Sequence, residues 1–189
     1  MNKPVVLYDA CVLYPAPLRD TLVSLAVTKT FRARWTEAIH EEWIGNLLGN
    51  RPDLTREQLD RTRRLMNKAV PDSVVTGYEA LIETLTLPDP DDRHVLAAAI
   101  HAKARVLLTF NAKDFPDTGM SLYGIALRTP DAFITSLVDR HPLKVVAALA
   151  KQRGRLVNPP QTVPEFLETL ERQALPQAVG RLRHYAASL

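Results

Sequence analysis

The sequence predicts an α/β fold: a central, mostly parallel sheet flanked by helices, followed by a helical C-terminal extension. Three observations lead to this fold class. Short continuous apolar runs are typical of buried parallel strands, and segments with helical spacing alternate with them. Polar residues come directly after the apolar runs. The strand pattern then stops near residue 136, and only helical patterns follow.

The N-terminal part begins with a predicted strand and continues with helices. Residues 4–8 (PVVLY) form the strand, and Asp9 follows at its carboxyl end. The Pro15–Pro17 turn precedes the first helix, and Thr36 and Thr55 are N-cap candidates for the next two. Helices are predicted over residues 18–28, 36–48, 55–68 and 78–87.

Residues 87–115 carry the most information about the fold. Asp89 is a candidate N-cap and Pro90 suits the first helical position, so a helix is predicted to about Ala104. The segment RVLLTF then predicts a central parallel strand, followed by a polar loop with Asn111 and Asp114. A last strand is predicted over residues 123–127, and a helix starts at Thr129-Pro130.

The chain divides into two predicted domains, residues 1–135 and residues 136–189. Short helices are predicted in the second over residues 142–152, 164–173 and 176–187. This part is basic, with eight Lys and Arg against four Asp and Glu, and a second basic cluster lies within residues 56–68. Both suit a phosphate backbone, although charge alone favours a solvated helix face.

Composition excludes several classes of protein. With 46% hydrophobic and 24% charged residues, the 189-residue chain has the balance of a globular protein. A single cysteine, Cys11, excludes an internal disulfide framework and favours the reducing cytoplasm. No apolar stretch is long enough for a membrane span, and Asp9 comes too early for a signal peptide. We therefore expect a cytoplasmic protein with no membrane association.

Four carboxylates form the candidate site. Asp9 ends a buried strand, and the others follow on a helix, at a helix start and in a loop: Glu42, Asp92 and Asp114. Parallel strands bring such positions to one edge of the sheet. Converging carboxylates repel unless a cation compensates them, and hard oxygen ligands suit Mg²⁺ or Mn²⁺. The pattern therefore predicts a metal-dependent reaction on a phosphate ester.

Each acid also has a purely structural explanation. Asp9 and Asp114 could cap turns, Asp92 could stabilise a helix dipole, and Glu42 could be solvated like Glu41. His94 and His101, seven residues apart on one helix, are expected at the surface rather than as ligands.

Four segments together resemble the PIN-domain family, which includes the VapC-type toxins of toxin–antitoxin pairs. They are VVLYDACVLY, TEAIHEEWIGNLL, DPDDRHVLAAAI and LLTFNAKDF, in the family's order between residues 5 and 115. The resemblance implies a three-layer sandwich and assigns Asp9, Glu42 and Asp92 to the family's first three acids. Many members carry a further aspartate where this chain has Asn111, after Thr109. Asp114 could take that role, which leaves one or two metals open.

The resemblance also implies an activity and partners. The expected reaction is hydrolysis of RNA phosphodiester bonds with Mg²⁺ or Mn²⁺, by the toxin of a type II toxin–antitoxin pair. A homodimer and a small antitoxin partner are implied as well. The alternatives are a PIN nuclease that processes RNA or DNA outside such a pair, and a catalytically idle nucleic-acid-binding module. The resemblance does not reach residues 136–189, whose helices could contact RNA, an antitoxin or a second copy.

Overall fold

A computed structural model describes residues 3–189, except for the side chains of residues 117 and 118. These residues form two compact units. The first contains the chain up to Tyr14 and Phe31–Arg128, and the second contains Pro15–Thr30 and Thr129–Leu189. The chain thus enters the second unit twice. The domain boundary between residues 135 and 136 stays a prediction.

The first unit contains a four-stranded sheet in which all strands run parallel. The strands are β1 (Val5–Tyr8), β2 (Arg32–Arg34), β3 (Val106–Leu108) and β4 (Ala126–Arg128), in the order β2-β1-β3-β4. Every residue of β1 is buried, as in the centre of a parallel sheet. The chain adds β2 on one side of β1 and then β3 and β4 on its other side, so the space between β1 and β3 is a topological switch point. Open α/β sheets bind their ligands at the carboxyl ends of the strands beside such a point.

Eleven α-helices occur among residues 3–189. They are α1 (Ala10–Leu13), α2 (Ala16–Val27), α3 (Glu37–Asn50), α4 (Arg56–Ala69), α5 (Glu79–Ile82), α6 (Arg93–His101), α7 (Asp117–Leu122), α8 (Pro130–Arg140), α9 (Pro142–Gly154), α10 (Val163–Arg172) and α11 (Pro176–Leu182). Short 3-10 turns cover Pro90–Asp92, Ala112–Asp114 and Arg183–Ser188. The predicted α/β fold with a helical C-terminal part is confirmed. No helix in this range is long and apolar enough to cross a membrane.

Side-chain caps explain where several helices begin. The Thr36 hydroxyl accepts the Ile39 N–H at 3.0 Å, and Thr55 forms a capping box with Gln58 at the start of α4. Asp89 accepts the Asp91 N–H at 2.9 Å. It caps the 3-10 turn that leads into α6, whereas the sequence predicted that the α-helix itself would begin there.

One predicted helix is shorter than expected, and one strand of the sheet was not predicted. The helix expected over residues 78–87 is confined to α5, which follows Gly77 in a left-handed conformation with a φ of +80°. Strand β2 was not predicted. Its sequence, Arg-Ala-Arg, buries only Ala33 and carries no apolar run, as often holds for the edge of a sheet.

A buried polar network joins α3 and α4 beside Trp35. The Trp43 indole N–H donates to His40 Nδ1 at 3.0 Å, and the Trp35 indole N–H donates to Asn67 Oδ1 at 2.8 Å. His40 Nε2 lies 3.0 Å from the same Asn67 oxygen. An indole only donates, so Nδ1 accepts and the proton of neutral His40 sits on Nε2. Burial lowers the pKa of His40, which stabilises this neutral form.

The second unit is entirely helical, and its polar core includes the carboxylate of Asp131. Asp131, on α8, accepts the Ala178 N–H at 2.8 Å and the Gln177 N–H at 3.2 Å. N–H groups in the first turn of a helix have no partner within that helix, and these two lie at the start of α11, next to Pro176. The buried carboxylate of Asp131 on α8 therefore caps the N-terminus of α11.

Removing this cap should weaken the second unit. We expect Asp131→Ala to lower the free energy of unfolding by about 2–3 kcal/mol, because two buried N–H groups lose a charged acceptor. Chemical denaturation measures the loss, with Asp139→Ala as the control, since that change removes only an exposed ion pair with Arg181 between the same two helices. Equal stability of the two variants would contradict this role.

Candidate metal centre

Asp9 lies where β1 ends and α1 begins. Its backbone N–H donates to the Leu108 carbonyl of β3 at 3.1 Å, which places the residue at the carboxyl edge of the sheet, between β1 and β3. The side chain is 4% exposed, and its Oδ1 accepts the Ala10 N–H at 2.6 Å. The capping role considered for Asp9 is therefore present, and it occupies one of the two carboxylate oxygens.

The other oxygen of Asp9 is fixed by two side chains. The Thr109 hydroxyl donates to Oδ2 at 2.7 Å, and the Cys11 thiol donates to it at 3.1 Å. The Asn111 N–H donates to the Thr109 hydroxyl at 2.8 Å, and the Phe110 N–H donates to Cys11 Sγ at 3.3 Å. The loop after β3 thus orients the Asp9 carboxylate through Thr109.

Burial and neighbouring charge both act on Asp9. Burial raises the pKa of this carboxyl, the hydrogen bonds from Thr109 and Cys11 oppose the rise, and the charge of Glu42 adds to it. Burial also raises the pKa of the Cys11 thiol to about 12, helped by the charge of Asp9. Cys11 is therefore a neutral donor to Asp9 and not a thiolate ligand.

Asp92 lies at the start of α6. One of its oxygens, Oδ2, is buried and has no hydrogen-bond partner among residues 3–189. The pKa of its carboxyl is raised to about 6, first by burial and then by the charges of Asp9, Asp89, Asp114 and Glu42. The four predicted acids therefore share one electrostatic environment.

Three carboxylates lie close enough together to share one ion. Oxygen atoms of Asp89, Asp92 and Asp114 all lie within 4.8 Å of one another. The side-chain amide of Asn111 donates to Asp114 Oδ2, which holds Asp114 from within the same loop. Asn111 thus supports Asp114 in this arrangement. The role of Asp114 as the residue that completes the site stays a prediction.

Glu42 and its neighbour Glu41 have different surroundings on α3. Glu41 accepts hydrogen bonds from Arg56 at 2.7 Å and Arg63 at 3.0 Å, on α4. Glu42 instead lies beside His94 of α6, with Oε2 3.5 Å from Nε2. The Glu42 side chain is 41% exposed and that of His94 is 20% exposed. His94 is therefore only partly exposed, whereas the sequence predicted a surface position, because its ring lies beside Glu42.

His94 lies on α6, beside Glu42 of α3. Its Nδ1 is buried without a hydrogen-bond partner in the described part of the chain. We expect His94→Ala to weaken Mn²⁺ binding about tenfold, since partners that orient metal ligands contribute about that much. Titration calorimetry with Mn²⁺ tests this, and His101→Ala, an exposed histidine on the same helix, is the control. Unchanged affinity in His94→Ala would show that Glu42 needs no such support.

The donor set fits a divalent cation that prefers oxygen. The cluster consists of carboxylates, and the buried, unpartnered Asp92 Oδ2 is an oxygen for which a cation is the natural partner. The neutral thiol of Cys11 adds no soft ligand. Mg²⁺ or Mn²⁺ suits these residues, and the assignment of individual ligands stays a prediction.

Sequence reasoning did not assign Asp89 or His94 to the cluster. Asp89 was interpreted only as a cap. Two acids three residues apart are neighbours on one face of a helical turn, so the spacing of Asp89 and Asp92 could have indicated a shared site. For His94, the signal was its place two residues after Asp92. Its pairing with Glu42 depends on how α3 and α6 approach each other, which no local pattern contains.

Comparisons with known proteins agree with this architecture. Residues 5–113 match the model of the PIN domain, and residues 130–184 match the model of the VapC50 C-terminal domain. A protein of Mycobacterium tuberculosis (strain ATCC 25618 / H37Rv), named "Putative ribonuclease VapC50", is 34% identical over 107 residues. That alignment covers 57% of this chain and 62% of the relative.

The comparison with solved structures found no match. The second family match begins at residue 130, within the range that the sequence assigned to the first domain, and it gives residues 136–184 a relationship that the resemblance did not reach. The PIN-domain match covers more than half of the chain, and it includes Asp9, Glu42, Asp89 and Asp92. The chain therefore belongs to the PIN-domain family.

Proposed function

We propose that this protein is a metal-dependent endoribonuclease that hydrolyses RNA phosphodiester bonds. The buried Asp92 oxygen that has no partner among the described residues carries this proposal, because it lies among the carboxylates of Asp89 and Asp114 and is influenced by the charge of Asp9. PIN-domain membership and the ribonuclease named among its relatives support the same activity.

The chain's own residues have distinct tasks in this proposal. Asp9, Asp92 and Asp114 hold the ion, with Glu42 at the margin of the cluster and Asp89 as a further ligand. Three hydrogen bonds fix Asp9, so its carboxylate needs little reorganisation when substrate arrives. A bound Mg²⁺ or Mn²⁺ would supply charge compensation and an acidified water. Without compensation, the acids would repel the phosphates of RNA.

Cleavage of RNA by the purified protein tests the proposal. We expect cleavage of mixed cellular RNA with Mg²⁺ or Mn²⁺ and none with a chelator, and single-stranded DNA run in parallel tests for activity on DNA. Absence of cleavage by folded, partner-free protein with either metal would refute the proposal and favour an idle binding module.

Metal binding should depend on pH through Asp92. Its pKa of about 6 lies above the usual value, so the carboxyl is ionised at pH 7.5 and takes up a proton as the pH falls through 6. Because a cation needs the ionised form, Mn²⁺ affinity should fall by about tenfold between pH 7.5 and pH 5, with about half of the carboxyl groups still ionised at pH 6. Calorimetry at pH 7.5, 6.0 and 5.0 measures this, and an affinity independent of pH would exclude Asp92 as a ligand.

The toxin role is a further part of the proposal. The resemblance to VapC-type toxins supports a small antitoxin partner, a homodimer and a cytoplasmic location, where Cys11 stays a thiol. Co-purification with the product of a neighbouring small gene tests the pairing, and light scattering of the purified protein tests the dimer.

A further inference from the structure

The five cations of α4 form two groups with different surroundings. Arg56 and Arg63 face α3 and are held by acids: Arg56 pairs with Glu41 at 2.7 Å, and Arg63 pairs with Glu41 at 3.0 Å. Glu37 and Asp60 complete these ion pairs. The paired arginines therefore hold α4 against α3, and they are not available to a ligand.

The other three cations, with one leucine, form a stripe on the opposite side of α4. We call Arg61, Arg64, Leu65 and Lys68 the outer stripe. Their spacing of three, four and seven residues puts them on one helix face. All four are exposed, and the three cations make no ion pair or hydrogen bond with any described residue.

The acids closest to the outer stripe leave it positively charged. The pKa of Asp60 is lowered mainly by its hydrogen bond from Arg56, and the charges of Arg63 and Arg64 contribute less. Asp60 therefore belongs to the paired group. Glu57 lies on the face of the stripe but in the first turn of α4, where an acid stabilises the helix dipole.

Helix α4, which carries the outer stripe, packs against α3, the helix that carries Glu42 of the candidate metal centre. Helix α3 carries Glu42, and its neighbour Glu41 is the residue that binds Arg56 and Arg63 of α4. Packed helices have axes about 8–10 Å apart. The outer stripe faces away from α3, so an RNA chain that passes the acids must also cross α4 to reach it, and several nucleotides separate the two places.

We propose that the outer stripe binds the RNA backbone several nucleotides away from the cleaved phosphate, an inference that rests on the proposed ribonuclease activity. Charge is the argument: three unpaired cations on one face match a row of phosphates. A protein partner fits less well, because interface cores are apolar and poor in lysine, and Leu65 is the one apolar side chain of the stripe.

Binding of a single-stranded RNA to protein carrying Asp9→Asn tests the outer stripe. Fluorescence anisotropy is recorded over a range of salt concentrations for three proteins: this background, the background with Arg64→Gln and Lys68→Gln, and the background with Lys103→Gln and Arg105→Gln. Lys103 and Arg105 are a matched control, since both are exposed, make no ion pair with a described residue, and precede β3 at the sheet edge opposite Asp9. Cleavage by the corresponding proteins with Asp9 intact is measured in parallel.

The stripe variant should bind about tenfold more weakly near 0.1 M salt, and its plot of log affinity against log salt should be shallower by about 1.4. In the cleavage assay its KM should rise at unchanged kcat, and the control should match the parent protein in both assays. Equal salt slopes for the two variants would overturn the proposal and assign the stripe to solvent or a protein partner, while cleavage by the parent would leave the ribonuclease assignment intact. A parent protein that neither binds nor cleaves RNA would overturn both.

Discussion

Asp92→Asn is expected to abolish RNA cleavage while making the metal-free protein more stable. Activity should fall at least about 10³-fold, or about 4 kcal/mol in the barrier, because the substitution removes an oxygen ligand and the charge that holds the ion. At pH 7.5 the melting temperature without metal should rise by about 3 °C, for a gain near 1 kcal/mol after allowance for solvent screening.

The sign of the stability change follows from the pKa of Asp92. That pKa is about 6 in the folded protein, above the value near 4 of an unfolded chain. The ionised carboxylate therefore destabilises the fold, fully above pH 6 and not at all below about pH 4. The gain in Asp92→Asn should be present at pH 7.5 and vanish near pH 4.

Asp91→Asn is the matched control for this experiment. Asp91 is the neighbouring acid in the same 3-10 turn, and it is exposed and outside the carboxylate cluster. The control should keep its activity and its stability. If Asp92→Asn cleaves RNA like the wild type, or if both variants lose activity equally, Asp92 has no special part in the reaction.

His40→Ala should destabilise the first unit by about 3–4 kcal/mol. The side chain is fully buried, so its removal leaves a cavity, and the Trp43 indole N–H loses its acceptor. Urea denaturation measures the loss, and His101→Ala, on an exposed histidine, is the control. A loss below about 1 kcal/mol would mean that Asn67 and the indoles rearrange around the gap.

The same network predicts how acid affects stability. The pKa of His40 is lowered by burial, so the unfolded chain binds a proton more readily than the folded one. Stability from this residue is complete above about pH 6.5, the usual histidine value, and falls as the pH drops below it. In His40→Ala this decline should be absent, whereas Asp92→Asn should retain it.

The parts of the fold that sequence predicts are those written in local patterns. The buried run before Asp9 predicts β1, and threonine caps predict the starts of α3 and α4. Strand β2 escapes prediction because its three residues have no apolar pattern, and its position comes only from pairing with β1.

The candidate site can likewise be predicted only where local patterns mark its residues. The strand end at Asp9 and the acid-rich helix start at Asp92 can be located from sequence, since both are local signals. The contacts of Glu42 with His94 and of Asp89 with Asp114 join residues that are far apart in the chain. Such contacts depend on helix packing and loop conformation, which hydrophobic periodicity does not encode.

The second unit contains two separate segments of the chain, Pro15–Thr30 and Thr129–Leu189, and this limits where the protein can be truncated. Helix α2 packs against α9 and α10 and buries Leu18, Leu22 and Leu25 completely. A truncated protein that ends at Arg128 would retain α2, only a few residues after Asp9, yet lose both of those partners. The apolar face of α2 would then be exposed and the truncated protein is expected to aggregate, so residues 1–128 are not expected to fold as a separate module.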